Sequence, residues 1–180
     1  MKINKLWVIS LGGSKIAPGD VDGKFLQRFK KMIDSHPSKK FVVVTGGGTT
    51  ARRYISALRG LGKKIRSQSN AGIAVTRLHA MFLAHFFGKK ANEELPLSMK
   101  KVKNLLRGNQ IVFAGALRYQ KKNTSDGTSA KLAAYLKAQG SSFLQYLDAI
   151  YLKYGYYAED SLSVVYEGAS GASKITKILN

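Results

Sequence analysis

The sequence predicts an α/β fold: a mainly parallel sheet with helices on both faces. Three observations lead there. Short apolar runs rich in β-branched residues alternate with segments of helical spacing, the order that winds into parallel sheets through crossovers. Two of those runs feed directly into glycines, Gly12-Gly13 and Gly46-Gly47-Gly48. In a parallel sheet such loops fall beyond the carboxyl ends of the strands, where ligands bind, so both belong to one crevice. At 180 residues and 44% apolar composition, the chain is long enough for one well-buried domain and short for two.

Taken in order, Leu6-Trp7-Val8-Ile9-Ser10-Leu11 reads as a buried first strand. After the turn at Pro18-Gly19-Asp20, the spacing of Phe25, Leu26, Phe29, Met32 and Ile33 predicts a helix that Asp20 or Asp22 caps and His36-Pro37 closes. Residues 41–45 form the second strand and 49–61 the helix behind the glycine triplet, while 63–69 read as a basic, polar loop. Residues 71–87 are a long apolar helix holding His79 and His85, which read as packed side chains because no second ligand cluster accompanies them. Residues 99–106 carry a helix basic on its exposed side, 110–114 a third strand and 115–123 a loop. Thr124-Ser125-Asp126 reads as the cap of a helix reaching about Ala138, with a fourth strand at 142–147. A tyrosine cluster (Tyr146, Tyr151, Tyr154, Tyr156, Tyr157, Tyr166) is expected to close an open sheet edge in preference to stacking on bases. The domain is expected over 1–167, followed by a small-residue linker and a basic-apolar tail over 168–180.

No apolar run approaches the roughly 20 residues of a membrane span, and the chain does not open on a charged-then-apolar leader. A cytoplasmic protein without membrane contact is therefore expected. The absence of cysteine excludes disulfides and thiolate metal sites. Charge is the loudest bulk feature, with 30 Lys and Arg against 10 Asp and Glu for a net +20. No acidic residue stands between Asp34 and Glu93, an interval holding Lys39, Lys40, Arg52, Arg53, Arg59, Lys63, Lys64, Arg66, Arg77, Lys89 and Lys90. Residues 96–125 repeat the pattern with Lys100, Lys101, Lys103, Arg107, Arg118, Lys121 and Lys122. Small-molecule metabolism gives little reason for such self-repulsion, whereas a surface laid against phosphate backbones does. Simple solubility is the alternative.

The glycine triplet permits positive φ and close backbone approach, and the helix N-terminus behind it favours an anion. A plain strand-to-helix turn would use the same residues. Three segments together are more specific: Ile9-Ser10-Leu11-Gly12-Gly13-Ser14, then Val44-Thr45-Gly46-Gly47-Gly48-Thr49-Thr50-Ala51-Arg52-Arg53-Tyr54-Ile55, then Gly72-Ile73-Ala74-Val75-Thr76-Arg77-Leu78-His79-Ala80. In order and spacing they resemble the archaeal uridylate (UMP) kinases of the amino-acid kinase superfamily, over roughly residues 5–151. The resemblance implies an αβα three-layer sandwich, transfer of the ATP γ-phosphate to UMP with magnesium, and a homo-oligomer. It implies that Gly12 and Gly13 approach the transferring phosphates, that Gly46, Gly47, Gly48 and Arg53 hold the UMP phosphate, and that Thr124 stands near the acceptor loop.

Against that pattern the chain departs at several places. Ser10 stands where many members carry lysine, with Lys15 close by, and Ser69 replaces an acidic residue that would hold the acceptor ribose. The Pro-Gly acceptor loop has become a longer basic segment from Gly115 to Asp126, and Gln145-Tyr146-Leu147-Asp148-Ala149-Ile150-Tyr151 lacks the Thr-Asn pair of the base-side segment. The chain also ends about where the family's C-terminal nucleotide-binding portion begins, so most of that portion is expected to be missing. Phosphoryl transfer depends on a complete set of positioned charges and backbone contacts. The expectation is a non-catalytic UMP-kinase-like protein, without a cofactor, that binds structured RNA. Ribosomal RNA and ribosomal proteins are its expected partners. The predicted contacts are Arg52, Arg59, Lys63, Lys64, Arg66, Lys89, Lys90, Lys100, Lys101, Lys103, Arg107, Arg118, Lys121 and Lys122, with no metal site. The alternatives are an active kinase for UMP or a related acceptor, with ATP, magnesium and Lys15, and a structural subunit pairing with a homologue along the 71–87 helix.

Overall fold

The structure, a computed structural model, describes residues 6–117 and 125–138. Arg118, Lys121, Lys122, Thr124, the strand expected at 142–147, the tyrosine cluster and the tail lie outside the described residues. Ten elements follow one another: β1 (Leu6–Leu11), α1 (Gly13–Ile16), α2 (Gly23–Asp34), β2 (Lys40–Thr45), α3 (Gly48–Gly60), α4 (Ile65–Phe87), a 3-10 turn (Gly88–Lys90), α5 (Met99–Gly108), β3 (Ile111–Ala114) and α6 (Ser125–Leu136).

The strands lie in the order β1-β2-β3, and both pairings are parallel. Leu6 sits opposite Lys40 and Leu11 opposite Thr45; Phe41 sits opposite Ile111 and Val44 opposite Ala114. Strand side chains alternate between faces, so the register sorts the core into two layers. On one side Leu6, Val42, Val44, Val112 and Ala114 pack with Val102 and Leu106 of α5 and Leu132 of α6. On the other, α4 covers β2 and β3, its Phe87 ring 4.9 Å from Phe113 and 6.0 Å from Phe29 of α2. β2 is buried on both faces, which is why residues 41–45 read as a continuous apolar run without alternation. The result is the expected helix–sheet–helix sandwich on a parallel sheet.

Local signals account for most element ends. Asp22 caps α2 by accepting the Phe25 N–H at 2.9 Å, and Ser98 caps α5 by accepting from Lys101 N–H at 3.2 Å. Lys40, at the start of β2, donates its ammonium to the carbonyls of Leu106 and Arg107 in the last turn of α5. At β3 the buried Asn92 amide accepts from Phe113 N–H at 2.7 Å and donates to Phe113 C=O at 3.1 Å. One side chain thus satisfies both outward backbone groups at that point of the strand edge.

Two expectations need correction. Residues 65–69 belong to α4, not to a loop. The backbone turns into the helix at Lys64, whose carbonyl accepts from Ser67 and Gln68 N–H, and the Gln68 side chain holds the carbonyl of Lys63. Apolar periodicity cannot reveal this turn because its one large apolar residue, Ile65, is 76% exposed. The second correction is that Gly13 opens a single helical turn, α1, where only a loop was expected.

Candidate functional site

Because the three described strands run parallel, they end on the same side, at Leu11, Thr45 and Ala114. Glycines follow each one: Gly12-Gly13, Gly46-Gly47-Gly48 and Gly115. The first two loops are stitched together, Gly46 N–H donating to the Leu11 carbonyl at 2.8 Å. Their backbones touch. A Cβ on Gly13 would come within 2.4–2.5 Å of Gly48 N, Gly46 O and Gly47 C. A Cβ on Gly48, which has φ +55°, would meet Gly13 C and Ser14 N at 2.4 Å. These two positions need glycine for the seam between the loops, before any ligand enters the account.

Beside the seam, α3 begins. Its N-cap is Gly47, which has no side chain to accept from the first-turn N–H groups, and no acidic residue lies in that turn. An uncapped helix start, where the positive end of the helix dipole lies, favours an anion. Arg52 and Arg53 are exposed on the next turn, with the Arg52 guanidinium donating to Thr49 Oγ1 at 3.0 Å. Lys15, half-buried, lies two residues past Gly13 in α1.

From the other face of the sheet, α6 brings its first turn to the same place. A Cβ on Gly46 would stand 3.4 Å from Ser125 Oγ, and Ser10 Oγ donates to Asp126 Oδ1 at 2.6 Å. Ser10 and Asp126 are 116 residues apart in the chain. In the sequence Asp126 reads as part of a helix cap and Ser10 as the place of a missing lysine. Their pairing is a product of the fold and has no signature in either segment.

Behind the loops, α4 acts as a clamp. His79, buried, donates Nδ1–H to the Gly46 carbonyl at 2.8 Å, which fixes its tautomer. Thr45 Oγ1 donates to Thr76 O at 2.7 Å, and Thr76 Oγ1 accepts from Ala116 N–H at 2.9 Å while donating to Ile73 O. Arg77 donates through Nε to Ala116 O at 3.0 Å and through Nη2 to Leu117 O at 3.1 Å. Gly115 packs so tightly here that a Cβ would lie 2.7 Å from Arg77 N. Arg77, one of the cations of the acid-free interval, is therefore committed to backbone carbonyls. His79 is packed, as expected.

Among the described residues, the predicted nucleic-acid contacts do not form one surface. Arg59, Lys63, Lys64 and Arg66 are exposed at the α3–α4 connection, beside Leu61 at 70% and Ile65 at 76% exposure. Lys89 and Lys90 sit past the far end of α4, a 23-residue helix and so about 34 Å away. Lys90 pairs with Asp34 at 2.8 Å, and Lys101 with Glu94 at 2.7 Å. Lys100, Lys103 and Arg107 are exposed on α5. Burial works to raise the Asp34 carboxyl, but its bond to Lys90 and the charges of Lys30 and Lys90 outweigh this and hold it below its ordinary value. The hydrogen bond and charge of Lys101 likewise lower Glu94.

A separate cleft of about 610 Å³ lies between the end of α4 and α5, lined by His85, Lys89, Glu94, Lys101 and Asn109 among others. None of the predicted phosphate-binding residues lines it. Among the described residues no group of three or more His, Asp or Glu is placed to hold a metal, and no helix is long and apolar enough to cross a membrane.

Comparison with known proteins adds a lineage to this geometry. Residues 5–161 match the amino acid kinase family. Uridylate kinase of Thermoplasma volcanium is 38% identical over 130 residues, 72% of this chain and 56% of that protein. Uridylate kinase of Methanococcoides burtonii is 34% identical over 81% of this chain and 62% of its own length. The crystal structure of Archaeoglobus fulgidus uridylate kinase superposes with a TM-score of 0.65 at 32% identity, over 74% of this chain and 59% of that one. The chain thus spans less than two thirds of the relatives it matches.

Proposed function

The chain belongs to the amino acid kinase family, and on that premise we propose that it holds a uridine nucleotide, UMP, by its phosphate at the rim of the seam that joins the two glycine loops. The observation that carries this reading is the convergence at one point of the uncapped start of α3, the Gly12-Gly13 loop and the first turn of α6. Backbone N–H groups at the start of α3 supply the anion contacts, and Arg53 supplies charge from the following turn. Likeness to enzymes named uridylate kinases supplies the nucleoside.

The reading is a holder of UMP more than a kinase. By the resemblance, Ser10, which is hydrogen-bonded to Asp126, stands where many members carry lysine, and Ser69 where an acid would hold the ribose. Should transfer occur, ATP brings the phosphoryl group with magnesium. That ion commonly binds through one or two carboxylates plus phosphate oxygens, and among the described residues Asp126 would offer a carboxylate beside Ser10. Lys15 is then the cation beside Gly13.

Calorimetric titration with UMP tests the proposal. Saturable binding is expected, weakened about 10-fold or more by Arg53→Ala, the scale of a charge-assisted contact. No binding by the parent chain would remove it. A coupled assay with UMP, ATP and magnesium then separates holder from enzyme, and turnover abolished by Arg53→Ala would establish the kinase.

A second reading is RNA binding, with ribosomal RNA as the expected target, favoured by the +20 charge and the exposed, carboxylate-poor cations of α5 and of the α3–α4 connection. Co-sedimentation with ribosomes at low salt and release at high salt would support it. Self-association would bury Leu78, Met81 and Phe82, which are 52%, 43% and 38% exposed on α4. Sedimentation equilibrium with and without nuclease distinguishes it from an RNA-bridged assembly.

A further inference from the structure

We propose that the face shared by α5 and α6 is a docking surface for single-stranded RNA, with Tyr135 as its stacking platform and Lys100, Lys103 and Arg107 as its phosphate contacts. The inference deepens the RNA reading and rests on it.

Spacing comes first. Lys100, Lys103 and Arg107 follow one another at i, i+3 and i+7, so they form a single stripe along α5. All three are exposed, while Val102 and Leu106 carry the helix into the core. No acidic residue occurs in α5. Lys101 stands apart from the stripe, already paired with Glu94.

The neighbouring helix completes the surface. α6 packs beside α5 and presents Tyr135, 45% exposed, with exposed Lys137 just past its end. The Lys103 ammonium stands 5.9 Å from the Tyr135 ring centroid, which joins the two exposed rows. The one acid of α6, Asp126, lies in the first turn and accepts from Ser10 at the crevice. Nine residues separate it from Tyr135, about 13 Å along the helix axis.

An exposed row of cations on a helix that carries no acid attracts a polyanion, and a nucleic acid is the polyanion that also uses an aromatic ring. A base can stack on Tyr135 while its phosphate meets Lys103, within the span of one nucleotide. Duplex bases are already stacked on one another and give the ring nothing to do, so the surface fits a single strand. On the other basic region the exposed ring is Tyr54 of α3, 60% exposed, while the cations of the α3–α4 connection flank Leu61 and Ile65, which offer no π-face.

The test is fluorescence anisotropy of the full chain with a labelled oligouridylate of about 12 nucleotides, between about 50 and about 200 mM salt. Tyr135→Ala should weaken binding about 10-fold, while Tyr135→Phe, which keeps the ring, should bind as the parent does. The triple change Lys100→Gln, Lys103→Gln and Arg107→Gln should lower the log–log salt slope by about 2, at roughly 0.7 per single-strand phosphate. Changing Lys63, Lys64 and Arg66 to Gln should leave the Tyr135 effect in place. If the parent binds but neither the Tyr135→Ala change nor the α5 triple alters affinity or slope, this surface is wrong and the RNA reading stands. Tighter binding of a duplex of equal length would also overturn the surface. No salt-dependent binding by the parent chain removes both.

Discussion

Gly12 and Gly13 are neighbours with opposite requirements. A methyl on Gly12, at φ −58°, meets nothing closer than Ser14 Oγ at 3.9 Å, whereas one on Gly13 strikes the backbone of Gly46–Gly48. Gly13→Ala should therefore cost about 3 kcal/mol through forced separation of the loops. Gly12→Ala should stay within about 0.5 kcal/mol. Urea midpoints of the two variants make the comparison, and equal midpoints would show that the seam is soft. Asp34 offers a second residue-scale prediction. Its folded carboxyl lies below its unfolded value near 3.8, so it stabilises the fold above that pH and loses the contribution as pH falls further. With a third of the side chain exposed, the effect is at most about 1 kcal/mol. Thermal melts between about pH 6 and pH 3 should fall less steeply for Asp34→Asn than for the parent.

At the scale of elements, α4 does more than cover the sheet. Through Thr45, Thr76, Arg77 and His79 it fixes where β2 and β3 hand the chain to their loops. Thr76→Val keeps the shape and removes the hydroxyl, leaving Ala116 N–H without its acceptor. A loss of about 1–2 kcal/mol is expected in chemical denaturation. Thr76→Ser should recover most of it. The elements themselves were largely legible: β-branched runs marked the strands, and apolar spacing with Asp22 marked α2. The clamp was not legible, because Thr76 and Arg77 find partners some forty residues away that no local pattern specifies. The first turn of α4 was missed for the opposite reason, since it is held by backbone bonds and Gln68 and buries no large apolar side chain. Sequence located both glycine loops and their shared crevice. It did not indicate that Gly13 and Gly48 face each other.

The whole molecule carries its charge unevenly. The net +20 was evident from composition, but that among the described residues exposed cations gather at the α3–α4 connection, the far end of α4 and the α5–α6 face, besides those of α2 and α3, follows only from folding. Ion pairs at Asp34 and Glu94 neutralise little of it. Self-repulsion on this scale is relieved by screening, so the melting temperature should rise by a few degrees between about 0.05 and about 0.3 M salt. Sulfate should act more strongly than chloride at equal ionic strength, because it also strengthens apolar burial. A melting temperature that falls with salt would mean that attractive pairs outweigh the excess of like charge.

The backbone seam between the glycine loops has a consequence for descent. A motif required for the chain to close on itself is kept under selection for folding alone, after any chemistry at its rim has lapsed. Gly13 and Gly48 would then persist in an inactive descendant as faithfully as in an active one. Lineage is written in such residues, and present employment is written in their replaceable neighbours, Ser10, Arg53 and Ser69, whose side chains can change while the fold survives.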